Sequence, residues 1–213
     1  MTDVSKTVDR QRLAVGITGA SGVVYGLRTL DALRDLGVES HLVLSKSAAL
    51  TLAQEAGLSV AEVNAKADVV HRAADVGASI ASGSFRTLGM IVAPCSVRTM
   101  SEIATGVTSS LLTRAADVTL KERRPLLLVV RETPLHVGHC RLLLDAATAG
   151  ATIMPPVPSF YTRPATIDDI VDHTVGRILD HLDIDSGLVK RWREQSGPGT
   201  PGMPDGDAGG GPA

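Results

Sequence analysis

Leu13-Ala14-Val15-Gly16-Ile17 runs directly into Thr18-Gly19-Ala20-Ser21-Gly22, and a helical pattern follows from Val23 to about Leu36. An apolar run that breaks into glycines and a serine before a helix reads as a buried strand, a tight turn and a helix N-terminus. Glycines let the backbone approach a ligand closely, and the first N–H groups of the helix, at the positive end of its dipole, form an anion cradle. Gly16, Gly19 and Gly22 are spaced G-x-x-G-x-x-G, not G-x-G-x-x-G, and Ser45 stands where a ribose-binding acid would end the next strand. The chain also contains no G-x-x-x-x-G-K-[ST]. A mononucleotide or another phosphorylated ligand therefore fits this turn better than NAD or ATP.

Outward from that turn, apolar β-type runs alternate with helical patterns. Strands are expected near 13–18, 38–44, 89–93, 125–130 and 151–154. Helices are expected near 23–36, 47–56, 99–122 (broken around Gly106), 137–149 and 167–183. Continuous apolar strands separated by helices indicate an α/β fold, a parallel sheet with helices on both faces. The last helix is the clearest: Thr166 and Asp169 make a capping-box start, and Ile167, Ile170, Val171, Val175, Ile178 and Leu182 recur at helical spacing.

With 213 residues and 44% hydrophobic content, the chain suits one α/β domain with a full core. A net charge of −2 gives no reason to expect a nucleic-acid or anionic-membrane partner. Cys95 and Cys140 are too few for a disulfide framework, which suits a reducing cytoplasm. The first residues, Met1 to Arg10, are polar rather than a signal segment, and no apolar run approaches ~18 residues. Residues 1–11 read as a polar extension and 12–195 as the domain. The Gly/Pro tail from 196 to 213 cannot bury apolar area and is expected to be disordered.

In open parallel sheets, ligands bind outside the carboxyl ends of the strands. Four successive strands here end in small or polar groups: Thr18-Gly19-Ala20-Ser21, Ser45-Lys46, Pro94-Cys95-Ser96 and Arg131-Glu132. Set on one edge of one sheet, they supply hydroxyls, backbone N–H groups, an arginine and a carboxylate. Other residues read more blandly. Arg114, Asp117 and Lys121 share a helix face as a salt-bridged stripe. Glu55 ends a short helix, a position that usually faces solvent. His136 and His139 find no third metal ligand in register and are read as structural or surface residues. Cys95 is read as a buried small residue rather than a nucleophile. Trp192 sits in Lys190-Arg191-Trp192-Arg193, as a surface patch or as an anchor onto a neighbouring subunit.

The segments T-G-A-S-G-x-x-Y-G, H-L-V-L-S-K, A-S-G-S-F, A-P-C-S-V-R-T, L-K-E-R-R-P-L, V-R-E-T-P-L-H and P-P-V-P-S-F-Y-T-R-P, in order from about Leu13 to Trp192, resemble the UbiX-type flavin prenyltransferases. That resemblance implies a flavodoxin-like, Rossmann-type subunit of a homododecamer with FMN at subunit junctions. It implies transfer of a dimethylallyl group from dimethylallyl monophosphate to N5 and C6 of reduced FMN. It further implies that the prenylated FMN passes to a UbiD-type decarboxylase. Position by position it implies flavin contacts from Gly19, Ala20, Ser21, Ser45, Ser96, Val97, Arg98, Thr99 and Arg131. Tyr161, Arg177, Lys121 and Arg114 match the prenyl-phosphate positions. Glu55 and Glu132 match carboxylates that handle protons, Ser21 belongs to the catalytic set, and Trp192 is an aromatic near the site. No metal is implied, and the chain lacks the D-D-x-x-D cluster of metal-clamped prenyl transfer. The alternative is an FMN-carrying accessory subunit without prenyl transfer. A flavin-dependent cysteine decarboxylase is disfavoured by the lack of a P-x-M-N-type motif.

Overall fold

Every residue of Leu13–Ile17 is buried, and this is the middle of the sheet. The computed structural model describes residues 10–189 and Arg191. Six strands, β1 (Arg12–Ile17), β2 (Glu39–Leu44), β3 (Val69–His71), β4 (Met90–Cys95), β5 (Leu126–Val130) and β6 (Thr152–Ile153), form one sheet in the order β3-β2-β1-β4-β5-β6. Every pairing is parallel. Without the three-residue edge strand β3, the order is that of flavodoxin-like sheets.

Alternation along each strand sends side chains to two separate cores. Leu13, Val15 and Ile17 of β1 meet α1 (Val23–Asp35), α2 (Ala48–Ala56), α3 (Val60–Asn64) and α7 (Ile167–Asp180) on one face. Ala14, Val43, Met90, Val92, Leu126 and Leu128 meet α4 (Val97–Thr105), α5 (Leu111–Lys121) and α6 (Val137–Thr148) on the other. Helices covering both faces explain why the central strands read as unbroken apolar runs. Gly26 lets α1 lie against the sheet: a Cβ there would stand 2.2 Å from the Ala93 carbonyl oxygen.

Several boundaries differ from the sequence reading. The 99–122 helix breaks at Gly106 as expected, since Gly106 ends α4 in the left-handed region and Ser110 opens α5 with its own capping box, although α4 starts two residues early, at Val97. The strand near 151–154 shortens to Thr152–Ile153, and the last helix ends at Asp180. Two elements were not anticipated. β3 is a short edge strand with no fully buried residue, so it lacks an apolar run. α3 is five residues long, although its Ser59/Glu62 capping box was legible.

β1 is the point where the chain changes direction across the sheet: β2 and β3 lie on one side of it, β4 to β6 on the other. The crevice at the carboxyl ends of β1 and β4 is the topological switch point, where a doubly wound sheet takes its ligand.

Candidate active site

The β1 and β4 ends are locked together by one buried hydroxyl. Thr18 Oγ1 donates to the Pro94 carbonyl at 2.7 Å and accepts the Ser96 backbone N–H at 2.9 Å. This fixes Ser96, whose Oγ accepts the Thr99 N–H at 3.3 Å and caps α4. The β1–α1 turn is held against the β2–α2 turn. A Cβ on Gly19 would fall 2.4 Å from Ser47 Oγ and 3.2 Å from the Ser47 carbonyl carbon. Only a residue without a side chain lets the two turns meet.

A cavity of about 500 Å³ opens at this edge, within the usual range for a small-molecule site. Of the residues expected to contact flavin, Ser45, Ser96, Arg98 and Thr99 line it. Gly19 abuts Ser47 in its wall, and the Arg131 N–H donates to the Cys95 carbonyl at 3.2 Å, one residue before Ser96. Val97 is the first residue of α4, half-buried beside them. The wall also holds Lys46, Ser47, Ser110 and Thr113, with Leu50 and Leu112 as apolar surface. The sequence reading takes Lys46 with Ser45 as a strand end and does not assign the others. Ser110 was findable from its S-x-x-T capping pattern before an apolar run. Hydroxyls, one lysine and an apolar wall suit an amphipathic ligand with a phosphate and a flat ring system.

Glu102 also lines this cavity. It accepts from Arg98 Nε at 3.0 Å and from the Ser109 hydroxyl. Partial burial raises its pKa, but these bonds outweigh that and hold the carboxyl below its ordinary range. Arg98 thus reaches the cavity with a carboxylate already on it.

The anion cradle expected at the start of α1 is filled from within the chain. Glu55 Oε2 accepts the Gly22 N–H at 2.8 Å and the Val23 N–H at 3.1 Å. Desolvation pushes its pKa up, yet the Ser21 hydroxyl, these two N–H groups and the nearby charge of Arg131 bring it below the ordinary value. Glu55 therefore does not simply face solvent. It joins the ends of β1, α2 and β5 into one charged cluster with Ser21 and Arg131. Glu132, next in the chain, is exposed, and its Oε1 accepts the Thr133 N–H at 3.1 Å.

The four residues expected at the prenyl phosphate do not come together in one subunit. Arg114 and Lys121 lie on α5, on one face of the sheet; Arg177 lies on α7, on the other. Tyr161 sits in a single 3₁₀ turn (Phe160–Thr162), half-exposed, its ring edge-on to His173 of α7. Each of the three cations is paired with a carboxylate close by in sequence: Arg114 with Asp117 at 2.7 Å, Lys121 with Glu122, and Arg177 with Asp180 at 2.8 Å. Within one subunit the sheet therefore lies between Arg177 and the pair Arg114 and Lys121. Trp192 lies outside the described residues, as does the expected tail.

Cys95 is fully buried and its thiol pKa is driven strongly upward by desolvation, so it is no nucleophile. His136 caps α6 through Nδ1, which accepts from Gly138 N–H at 3.0 Å, and its ring stacks on His139. Among the described residues no group of three His, Cys, Asp or Glu side chains is placed to hold a metal ion, and no helix is long and apolar enough to cross a membrane.

Comparison with known proteins agrees with this geometry. The Flavoprotein family model matches residues 1–179. The flavin prenyltransferase UbiX of Escherichia coli is 56% identical over 186 residues, covering 86% of this chain and 98% of the relative. A crystal structure of AnUbiX in complex with FMN and dimethylallyl pyrophosphate superposes with a TM-score of 0.84 at 49% identity, covering 86% of this chain and 97% of that one. A dodecameric FMN-dependent UbiX-like decarboxylase from Escherichia coli superposes with a TM-score of 0.83 at 47% identity, covering 85% and 99%. The chain belongs to the UbiX flavin prenyltransferase family.

Proposed function

We propose that this enzyme joins the dimethylallyl group of dimethylallyl monophosphate to N5 and C6 of reduced FMN, releasing inorganic phosphate, and that a UbiD-type decarboxylase receives the prenylated flavin. One observation carries the reading. In a chain of this family, the carboxyl ends of β2 and β4, with α4 and the start of α5, enclose a cavity of about 500 Å³ walled by hydroxyls, Lys46 and the Arg98–Glu102 pair, and the Arg131 backbone N–H is tied to the β4 end beside it. FMN enters as a substrate, supplying a nucleophilic reduced ring.

The residues divide by role. Ser45, Ser96, Val97, Arg98 and Thr99 hold the phosphate and ribityl end, with Gly19, Ala20 and Ser21 under the ring and Arg131 beside it. Lys121, Arg114, Arg177 and Tyr161, drawn from more than one subunit, surround the donor phosphate. As the allylic C–O bond breaks, charge grows on the departing phosphate, and fixed cations stabilise it without a metal ion. In ring closure the allyl double bond takes up a proton as its carbon bonds to C6, and C6 then gives up its own; a carboxylate, Glu55 or Glu132, or the departed phosphate supplies the first proton and accepts the second. Ser21 bonds Glu55 and so orients that carboxylate. Trp192 offers a π face to the electron-poor allyl fragment.

A shared phosphate site needs a homo-oligomer, and twelve subunits is the assembly we propose, in the cytoplasm and with no resident metal. Residues 12–195 form the functional domain, with 1–11 and 196–213 as appendages. The reading of an FMN-carrying accessory subunit is not favoured, since such a subunit has no use for a donor-phosphate site. The test is anaerobic incubation with reduced FMN and dimethylallyl monophosphate, followed by mass spectrometry of the released flavin. A gain of one prenyl unit is expected; unchanged flavin overturns the reading.

A further inference from the structure

Arg177 and Arg191 converge on one carboxylate. Asp180 Oδ2 accepts from an Arg177 terminal nitrogen at 2.8 Å, and the Arg191 guanidinium meets both Asp180 oxygens, at 3.2 and 3.1 Å. The Asp180 side chain is 13% exposed, whereas Arg177 is 44% exposed. The carboxylate is therefore the buried, fixed member, and Arg177 is the member that reaches outward. The two arginines, with Asp183, Ile184 and Asp185, border a cavity of about 350 Å³ at the end of α7.

We infer that Asp180 is a positioning residue for the donor phosphate. It sets the direction of the Arg177 guanidinium and, through Arg191, anchors the backbone immediately before Trp192. The inference rests on the assignment of Arg177 to the phosphate. A long arginine side chain loses several rotamers on binding, and a buried partner that has already restricted it lowers that cost. One N–H of the five-donor guanidinium goes to Asp180, and the rest of the fork remains for phosphate oxygens. Arg191 answers the charge of Asp180 as well, so the carboxylate is not left to neutralise Arg177 alone.

The test measures binding as well as turnover, on the full-length, FMN-loaded oligomer. Titration calorimetry with dimethylallyl monophosphate is run on the parent, Asp180→Ala, Arg177→Ala and the double variant. Asp180→Ala is expected to weaken binding about tenfold with FMN affinity unchanged, and the double variant to bind no more weakly than Arg177→Ala alone. Losses that add in the double variant would show that Asp180 acts elsewhere and overturn the inference, as would parent-like binding by Asp180→Ala. Should Asp180→Ala not assemble, Asp180→Asn, which retains one acceptor for Arg177, is carried through the same cycle. If the parent binds the monophosphate and the cycle is non-additive but no prenylated flavin forms, the positioning role stands while the reaction proposed above falls. If Arg177→Ala binds as the parent does, the inference falls with the phosphate assignment.

Discussion

Glu55 Oε2 lies 2.8 Å from the Gly22 backbone nitrogen, so a carboxylate of this chain occupies the helix N-terminus at which a ligand anion was expected. The consequence is thermodynamic as well as chemical. Because its folded pKa is lowered, Glu55 stabilises the fold above the ordinary carboxylate range, and that contribution disappears as pH falls through the lowered value. Glu55→Gln is expected to reduce stability by about 1 kcal/mol at neutral pH, as loss of a charged helix cap does. The deficit should shrink as pH falls through the lowered value, where the parent carboxylate is itself protonated. Thermal melts of both proteins across that range check it, and a deficit that is constant with pH rules the cap out.

Two glycines separate binding from folding. A Cβ on Gly26 meets the Ala93 carbonyl oxygen and Ile17 in the core, so Gly26→Ala should cost about 1–3 kcal/mol in urea unfolding. A Cβ on Gly19 meets Ser47 between two surface turns, next to the strand-end cavity. Gly19→Ala should therefore weaken FMN binding far more than it lowers stability. Flavin fluorescence titration decides, and parent-like affinity in Gly19→Ala would remove the close approach of these turns from the binding account.

The opposite-face placement of Arg114 and Arg177 makes a prediction about subunits rather than residues. If one donor phosphate takes cations from different chains, Arg114→Ala and Arg177→Ala proteins are each slowed by about 10²–10³, but oligomers reassembled from a mixture of the two contain some intact sites. Activity well above that of either variant should appear after co-refolding, alongside a particle of about twelve subunits in light scattering, the state expected for a closed homo-oligomer. A monomeric mass, or no recovery on mixing, counts against a shared site.

The parts of this architecture that repeat at short range were legible in the chain. Leu13–Ile17 and Leu126–Val130 read as buried strands because helices cover both sheet faces, and α7 announced itself through Thr166, Asp169 and its apolar spacing. The strand-end site followed from topology alone, since parallel strands place Thr18, Ser45, Ser96 and Arg131 on one edge. What escaped was set by distant pairings. Nothing in the sequence near Glu55 says that its carboxylate turns back to Gly22, 33 residues away. Likewise Arg114 and Arg177 carry the right charge at the expected positions, but which sheet face each helix covers is a tertiary fact. β3 was missed because a three-residue edge strand, with Val70 exposed, needs no apolar run.

The leaving-group assignment yields the most direct chemical prediction. Arg177 lies on α7, and α7 contributes no residue to the walls of the strand-end cavity. Arg177→Ala should therefore bind FMN with parent affinity. Its rate of flavin prenylation should fall by about 10²–10³, the usual effect of removing one preorganised donor from developing charge. Glu132→Gln tests the other half of the chemistry. The amide retains the acceptor that meets the Thr133 N–H but cannot take up a proton, so both ligands should bind while ring closure slows. Single-turnover mass spectrometry under anaerobic conditions reads both variants. Parent-like turnover in Arg177→Ala would remove it from the phosphate site and leave the reaction itself standing. Parent-like turnover in Glu132→Gln would pass the proton to Glu55 or to the phosphate.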